Sequence, residues 1–216
     1  MCIRDSRLHA RVVSVDVAGD ALEVETVVAS APLDVRVRVV ERWTTDGEAL
    51  RLDVALTPEG PWTSGWARAG LELALPWAPD AIGWDGYGPG QRYPDTGQSQ
   101  RLGTFAVDGA AALHTDYVKP QENGSRSGAV RLSVARDGAG FAVTGDGFSF
   151  TASPWTSAEL DAAAHPTDLP PAGDWTRLVL DLAEHGIGTA SCGPGVLPQY
   201  RLDARRVEAT LVSRAI

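Results

Sequence analysis

Chemistry in this chain has to come from 28 acidic residues, four histidines, two cysteines and seven tryptophans. Two carboxylates flanking a glycosidic bond would be needed to hydrolyse it. Glu122 and Asp181 have the least ordinary settings, both read as loop positions, but nothing in their spacing pairs them. His9, His114, His165 and His185 show no HxxxH or His-Cys spacing, which argues against a zinc centre. His165 is expected to end a short helix, where a partial positive charge suits the dipole. His114 is expected to be a packed or edge residue of a strand, and His185 stands before Gly-Ile-Gly in a turn. No Gly-x-Ser-x-Gly elbow is present, and GYGPG at 86–90 lacks the Lys-Ser/Thr and following helix of a phosphate cradle. Cys2 and Cys192 imply no disulfide framework, and Cys192 has no histidine beside it in sequence to make it a nucleophile. Trp77, Trp84, Trp155 and Trp175 border loops. An indole can stack on the apolar face of a pyranose while polar neighbours hold its hydroxyls, or can simply fill the gap between two sheets.

The elements that must position these groups are almost all strands. RLHARVVSVDV, ALEVETVVA, DVRVRVVERWTT, LRLDVALTP and AGLELALPW alternate Val and Leu with polar residues, broken by Gly, Asp and Pro at roughly ten-residue spacing. That is an antiparallel meander with one wet face and one buried face. Residues 77–103, dense in Gly, Pro, Trp and Tyr, read as a long functional loop. Strands resume with TFAVDG, AALHTDYV, GAVRLSVAR, GFAVTG and GFSFTAS. One short helix follows, with Thr156 and Glu159 spaced as a capping box and Pro166 to stop it. TRLVLDLAE and RLDARRVEATLVS complete an all-β domain of two face-packed sheets.

At 216 residues and 44% hydrophobic content the chain can bury a substantial core. Its net charge of −9 disfavours nucleic acid and anionic membrane surfaces as partners. No apolar run of membrane-spanning length and no signal peptide is present, so a cytoplasmic setting is the default expectation. Residues 1–6 lack any pattern and are a candidate scar foreign to the fold, leaving 7–216 as the domain.

Four blocks in order resemble one family. WDGYGPGQRYPD at 84–95, YVKPQENGSRSGAVRL at 117–132, ELDAAAHPTDLP at 159–170 and LDLAEHGIGTASCGPGVLPQYRL at 180–202 are similar to segments of the C-terminal, small-chain domain of bacterial β-galactosidases of glycoside hydrolase family 2. The resemblance implies an antiparallel supersandwich like that of galactose mutarotases, used as the last domain of a five-domain enzyme, with its first strands missing here. It implies that the glutamates of a retaining reaction, and a magnesium site, lie in a separate barrel domain. Partners would be a β-galactoside or galactose and the missing N-terminal domains, with a homo-oligomer left open. Cys192, Glu122, Asn123 and Trp84 are the expected pocket-rim contacts, and no catalytic residue or metal ligand is expected in the chain. Ser191-Cys192-Gly193-Pro194 replaces a common Ser-Trp-x-Pro, exchanging a large indole for a small thiol. Gln91, Arg92, Thr96 and Ala190 also depart from the family pattern. The alternatives are a stand-alone carbohydrate-binding module and an aldose 1-epimerase-like protein.

Overall fold

The period-two pattern is realised as strands throughout the computed structural model, which describes residues 8–30, 33–189 and 193–216. The five strands expected before residue 77 form as β1 (Leu8–Ala18), β2 (Ala21–Ser30), β3 (Arg36–Thr45), β4 (Ala49–Glu59) and β5 (Arg68–Leu75). They are followed by β6 (Ala81–Gly88), β7 (Arg101–Val107), β8 (Arg126–Arg136), β9 (Ala139–Ser153), a single short helix α1 (Ser157–Ala162), β10 (Thr176–Glu184) and β11 (Val207–Ala215). Pairing is antiparallel throughout, in the order β1-β2-β3-β4-β11-β9-β8-β6-β7, with β10 joined to β9 and carrying β5.

The 15-residue β9 explains how one sheet makes two layers. Phe141–Gly145 pairs with β11, whereas Ser149–Ser153 pairs with β10. The expected face-packed sheets are therefore leaves of one sheet that share β9. GFAVTG and GFSFTAS, expected as separate strands, are its two halves. The β8–β9 turn is Asp137-Gly138, with φ of 53° and 78°, the left-handed pair that a tight hairpin with strand-like twist requires.

Two clusters fill the interior. Ile82, Trp84, Leu132, Phe148, Phe150 and Leu178 centre the first, with Trp84 against Phe105 and Phe150 at 5.5 and 5.7 Å between ring centroids. Leu52, Val54, Leu56, Trp66, Leu202 and Val207 form the second. Burial of such side chains contributes about 1.5–3 kcal/mol each.

Three expectations are corrected. The 77–103 segment is not one loop: β6 runs through its Gly-rich part, where Gly86 lies so close to β8 that an added Cβ would sit 2.9 Å from the Ala129 Cα. AALHTDYV is not a strand: Ala110–Leu113 is a 3-10 turn, and its alanines lack the β-branching that favours extended backbone. His165 does not end the helix: α1 stops at Ala162, and His165 opens a second 3-10 turn by donating its N–H to Asp168 Oδ2 at 2.9 Å. The capping box of α1 does form, with Thr156 Oγ1 accepting from the Glu159 N–H at 3.1 Å and Glu159 Oε2 from the Thr156 N–H at 2.7 Å.

Candidate functional site

Strand β10 is buried on both faces from Thr176 to Asp181. Leu178 and Leu180 face the first core cluster. Arg177 and Asp181 share the opposite face, because side chains two apart point the same way. Antiparallel register then sets Gly70 of β5 beside Asp181 and Arg68 beside Glu184. Gly70 is obligatory: a Cβ there would lie 2.2 Å from the Leu180 carbonyl oxygen.

The Tyr117–Ser125 loop lies over this polar face. Glu122 sits 3.0 Å from Arg68 Nη2 and 3.2 Å from Arg177 Nη1, and accepts the Ser157 hydroxyl. Arg177 also donates to Glu72 at 2.8 Å. Asp181 lies 3.7 Å from Arg68 Nε, and neither of its oxygens has a hydrogen-bond partner. Asp181 is not in a loop, as the sequence suggested, but in mid-strand with a side chain that is 0% exposed.

The electrostatics separate the carboxyls. Burial pushes Asp181 up to about 7; Arg68 and Arg177 oppose that rise, and Glu184 and Glu122 add to it. Burial also raises Glu184, against hydrogen bonds from Ser149 and Ser125. For Glu122 burial acts in the same upward direction, but Arg68, Ser157 and Arg177 together outweigh it and hold the group below the ordinary glutamate range. Tyr93 is pushed up to about 12 by burial, with Glu184 adding to the effect.

Arg68, Tyr93, Glu122, Glu184, His185 and Ile187 border a cavity of about 260 Å³. The turn on its far side is fixed by Asp95, whose two oxygens accept the N–H groups of Ile187 at 2.9 Å and Gly188 at 2.7 Å. That turn leads into residues 190–192.

Of the expected rim residues, Glu122 alone borders the cavity among those described. Asn123 is corrected to a buried staple: Oδ1 accepts the Thr115 N–H at 2.8 Å, and Nδ2 faces His114 Nδ1 and the carbonyls of Thr115 and Gln121 at 3.0–3.2 Å. Its amide is satisfied within the protein, leaving no free group for a sugar. Trp84 is corrected to a core residue, 1% exposed, with Nε1 donating to the Tyr87 carbonyl at 2.9 Å. Cys192 lies outside the described residues, as do Ser191 and Ala190. His114 is packed, edge-on to Trp155 at 5.1 Å, which fits the structural role expected of it.

Arg68, Tyr93, Glu184 and Asp95 were not singled out as site residues. Only the charges at 177 and 181, on one face of an otherwise apolar strand, signalled the site. Among the described residues no group of three or more His, Cys, Asp or Glu side chains could hold a metal ion, so the implied magnesium has no seat among them. No helix among them is long and apolar enough to cross a membrane.

An antiparallel all-β sandwich with one helix and a polar cleft across one leaf is a galactose mutarotase-like fold. It is similar to the crystal structure of a putative aldose 1-epimerase from Escherichia coli K12, with a TM-score of 0.50 at 12% identity over 96% of this chain and 68% of that one. Residues 4–212 match the family described as beta galactosidase small chain, and the chain belongs to that family. A beta-galactosidase of Arthrobacter sp. (strain B7) is 35% identical over 218 residues, covering 96% of this chain and 21% of that protein. One from Actinobacillus pleuropneumoniae is 35% identical over 171 residues, covering 79% and 16% respectively. The chain thus spans about a fifth of the length of these relatives.

Proposed function

We propose that this chain forms one wall of the galactoside pocket in a retaining β-galactosidase acting on terminal β-D-galactosides such as lactose. The supporting observation is the cavity between Glu122 and the Asp95-held turn at 187–188, the turn that leads to Cys192. The carboxyls here are suited to wall rather than catalysis. Glu122 is tied to two arginines and a serine, and Asp181 is sealed from solvent. A retaining mechanism needs one carboxylate free to attack the anomeric carbon and a second, protonated, to assist the leaving group. The rest of the polypeptide supplies that pair, together with the magnesium of its barrel.

The test is a hybrid enzyme. This chain replaces the corresponding region of the Arthrobacter enzyme, and hydrolysis of a nitrophenyl β-galactoside is followed. The hybrid should be active and the chain alone inert. Glu122→Gln in the hybrid should raise KM severalfold with little change in kcat. Hydrolysis by the isolated chain at the hybrid's rate would defeat the proposal.

A second reading is favoured by one observation: Glu122, held ionised, and Glu184, pushed toward the neutral form, border the same cavity. Such a split is what acid–base opening of an aldose ring requires. Acceleration of galactose mutarotation by the isolated chain, lost in Glu184→Gln, would favour it; a rate equal to that in buffer removes it.

A further inference from the structure

Strand β1 stands at the end of the sheet, and among the described residues its only partner is β2. One backbone edge of an 11-residue strand is therefore free, the feature that most invites pairing with another chain. The register shows what the strand's two faces carry. Val17 pairs with Leu22, Val15 with Val24, Val12 with Thr26 and Ala10 with Val28. Leu22 in turn pairs with Trp43, and Trp43 with the buried Leu52. The face that makes the second core cluster thus continues across β3 and β2 onto β1, where nothing covers it. Leu8, Val12, Val15 and Val17 are 57–76% exposed. The other face carries Arg11, Ser14 and Asp16.

We propose that two copies of this chain associate through β1, paired antiparallel about a two-fold axis at Ser14. Val13 is the extra residue at the bulge between Val12 and Ser14, so the faces stay in phase on either side of it. In that register Arg11 of each copy faces Asp16 of the other. Val12 faces Val15 and Ala10 faces Val17. The basic residue precedes the axis and the acidic residue follows it, so the symmetric arrangement forms the ion pair twice. It also keeps apolar against apolar on the other face. A slip of one residue would set each valine against the polar face, which fixes the register. A second copy fits because a two-fold interface must be self-complementary, and this strand is.

A single strand ladder with one apolar strip is a small interface, so the dimer should form in roughly the micromolar range. Sedimentation velocity on the 216-residue chain should show a monomer–dimer equilibrium there. Arg11→Asp and Asp16→Arg should each weaken it at least about tenfold, and the double exchange should restore it. Both positions are solvent-exposed, so circular dichroism and melting should match the parent chain. Amides of residues 8–17 should exchange more slowly in the concentrated sample. A monomer at every concentration overturns the proposal and assigns the edge of β1 to another segment of the polypeptide. A dimer that ignores both single exchanges, or that the double exchange fails to restore, also overturns it.

Discussion

Arg68 holds its guanidinium 3.0 Å from the Glu122 carboxylate, joining the start of β5 to the centre of the 117–125 loop. Their side chains are 30% and 33% exposed, so solvent screens the pair and its direct contribution to stability is small. Its importance is positional. The same guanidinium reaches Asp181 behind it, so the loop and the buried carboxyl share one cation.

Asp181 makes stability depend on pH. An aspartate in the unfolded chain ionises near 4, while in the fold burial raises it to about 7, so the native state holds the proton more tightly between those values. Stability should fall as pH rises through about 4–7 and level off above that. The full linkage is on the order of 4 kcal/mol, reduced by any relaxation around the charged form. Glu184, shifted the same way, adds to the trend. Asp181→Asn should flatten the curve, and urea unfolding at pH 4.5, 6 and 7.5 measures it. A parallel curve for the variant would refute this assignment.

Trp84 should matter for folding and not for sugar contact. Trp84→Ala removes the centre of the first core cluster and should cost about 3–5 kcal/mol in chemical denaturation. Trp84→Phe should retain most of the stability and leave any galactose affinity of the chain unchanged. A selective loss of affinity in a well-folded Phe variant would restore the ring to the pocket.

Lys119, the chain's only lysine, donates to the carbonyl oxygens of Asp161 and Ala163 at 2.7 and 2.5 Å. Its ammonium therefore closes the C-terminal end of α1, where unpaired carbonyls accumulate. Lys119→Met should cost about 1–2 kcal/mol and speed hydrogen exchange in both the 117–125 loop and α1. Faster exchange in the loop alone would separate the two elements.

Asp95 should govern the turn that leads to Cys192. Asp95→Asn keeps one acceptor oxygen and loses the charge, which should accelerate exchange at Ile187 and Gly188. In the hybrid enzyme it should raise KM more than it lowers kcat. Unchanged exchange at both amides would show that the turn holds itself.

The β-architecture and the helix cap were legible because alternation and a Thr-x-x-Glu spacing are local signals. Trp84 was misplaced because Gly83, Gly86 and Gly88 disguise β6 as a loop, although Gly86 is there to let β8 approach. Asn123 looked like a sugar ligand because loop amides are usually free, and only the fold brings Thr115 and His114 to its side chain. Arg68 and Glu184 were overlooked because each sits in an ordinary alternating strand. Their meeting depends on a register between segments more than a hundred positions apart, which no local pattern encodes.

The sharing of β9 between β11 and β10 has a consequence for how the molecule comes apart. The leaves have no seam along which one could loosen while the other stayed intact. Heating should abolish both tryptophan-rich interiors in a single cooperative step, with calorimetric and van't Hoff enthalpies in agreement. Cleavage within β9 should leave neither half able to fold by itself.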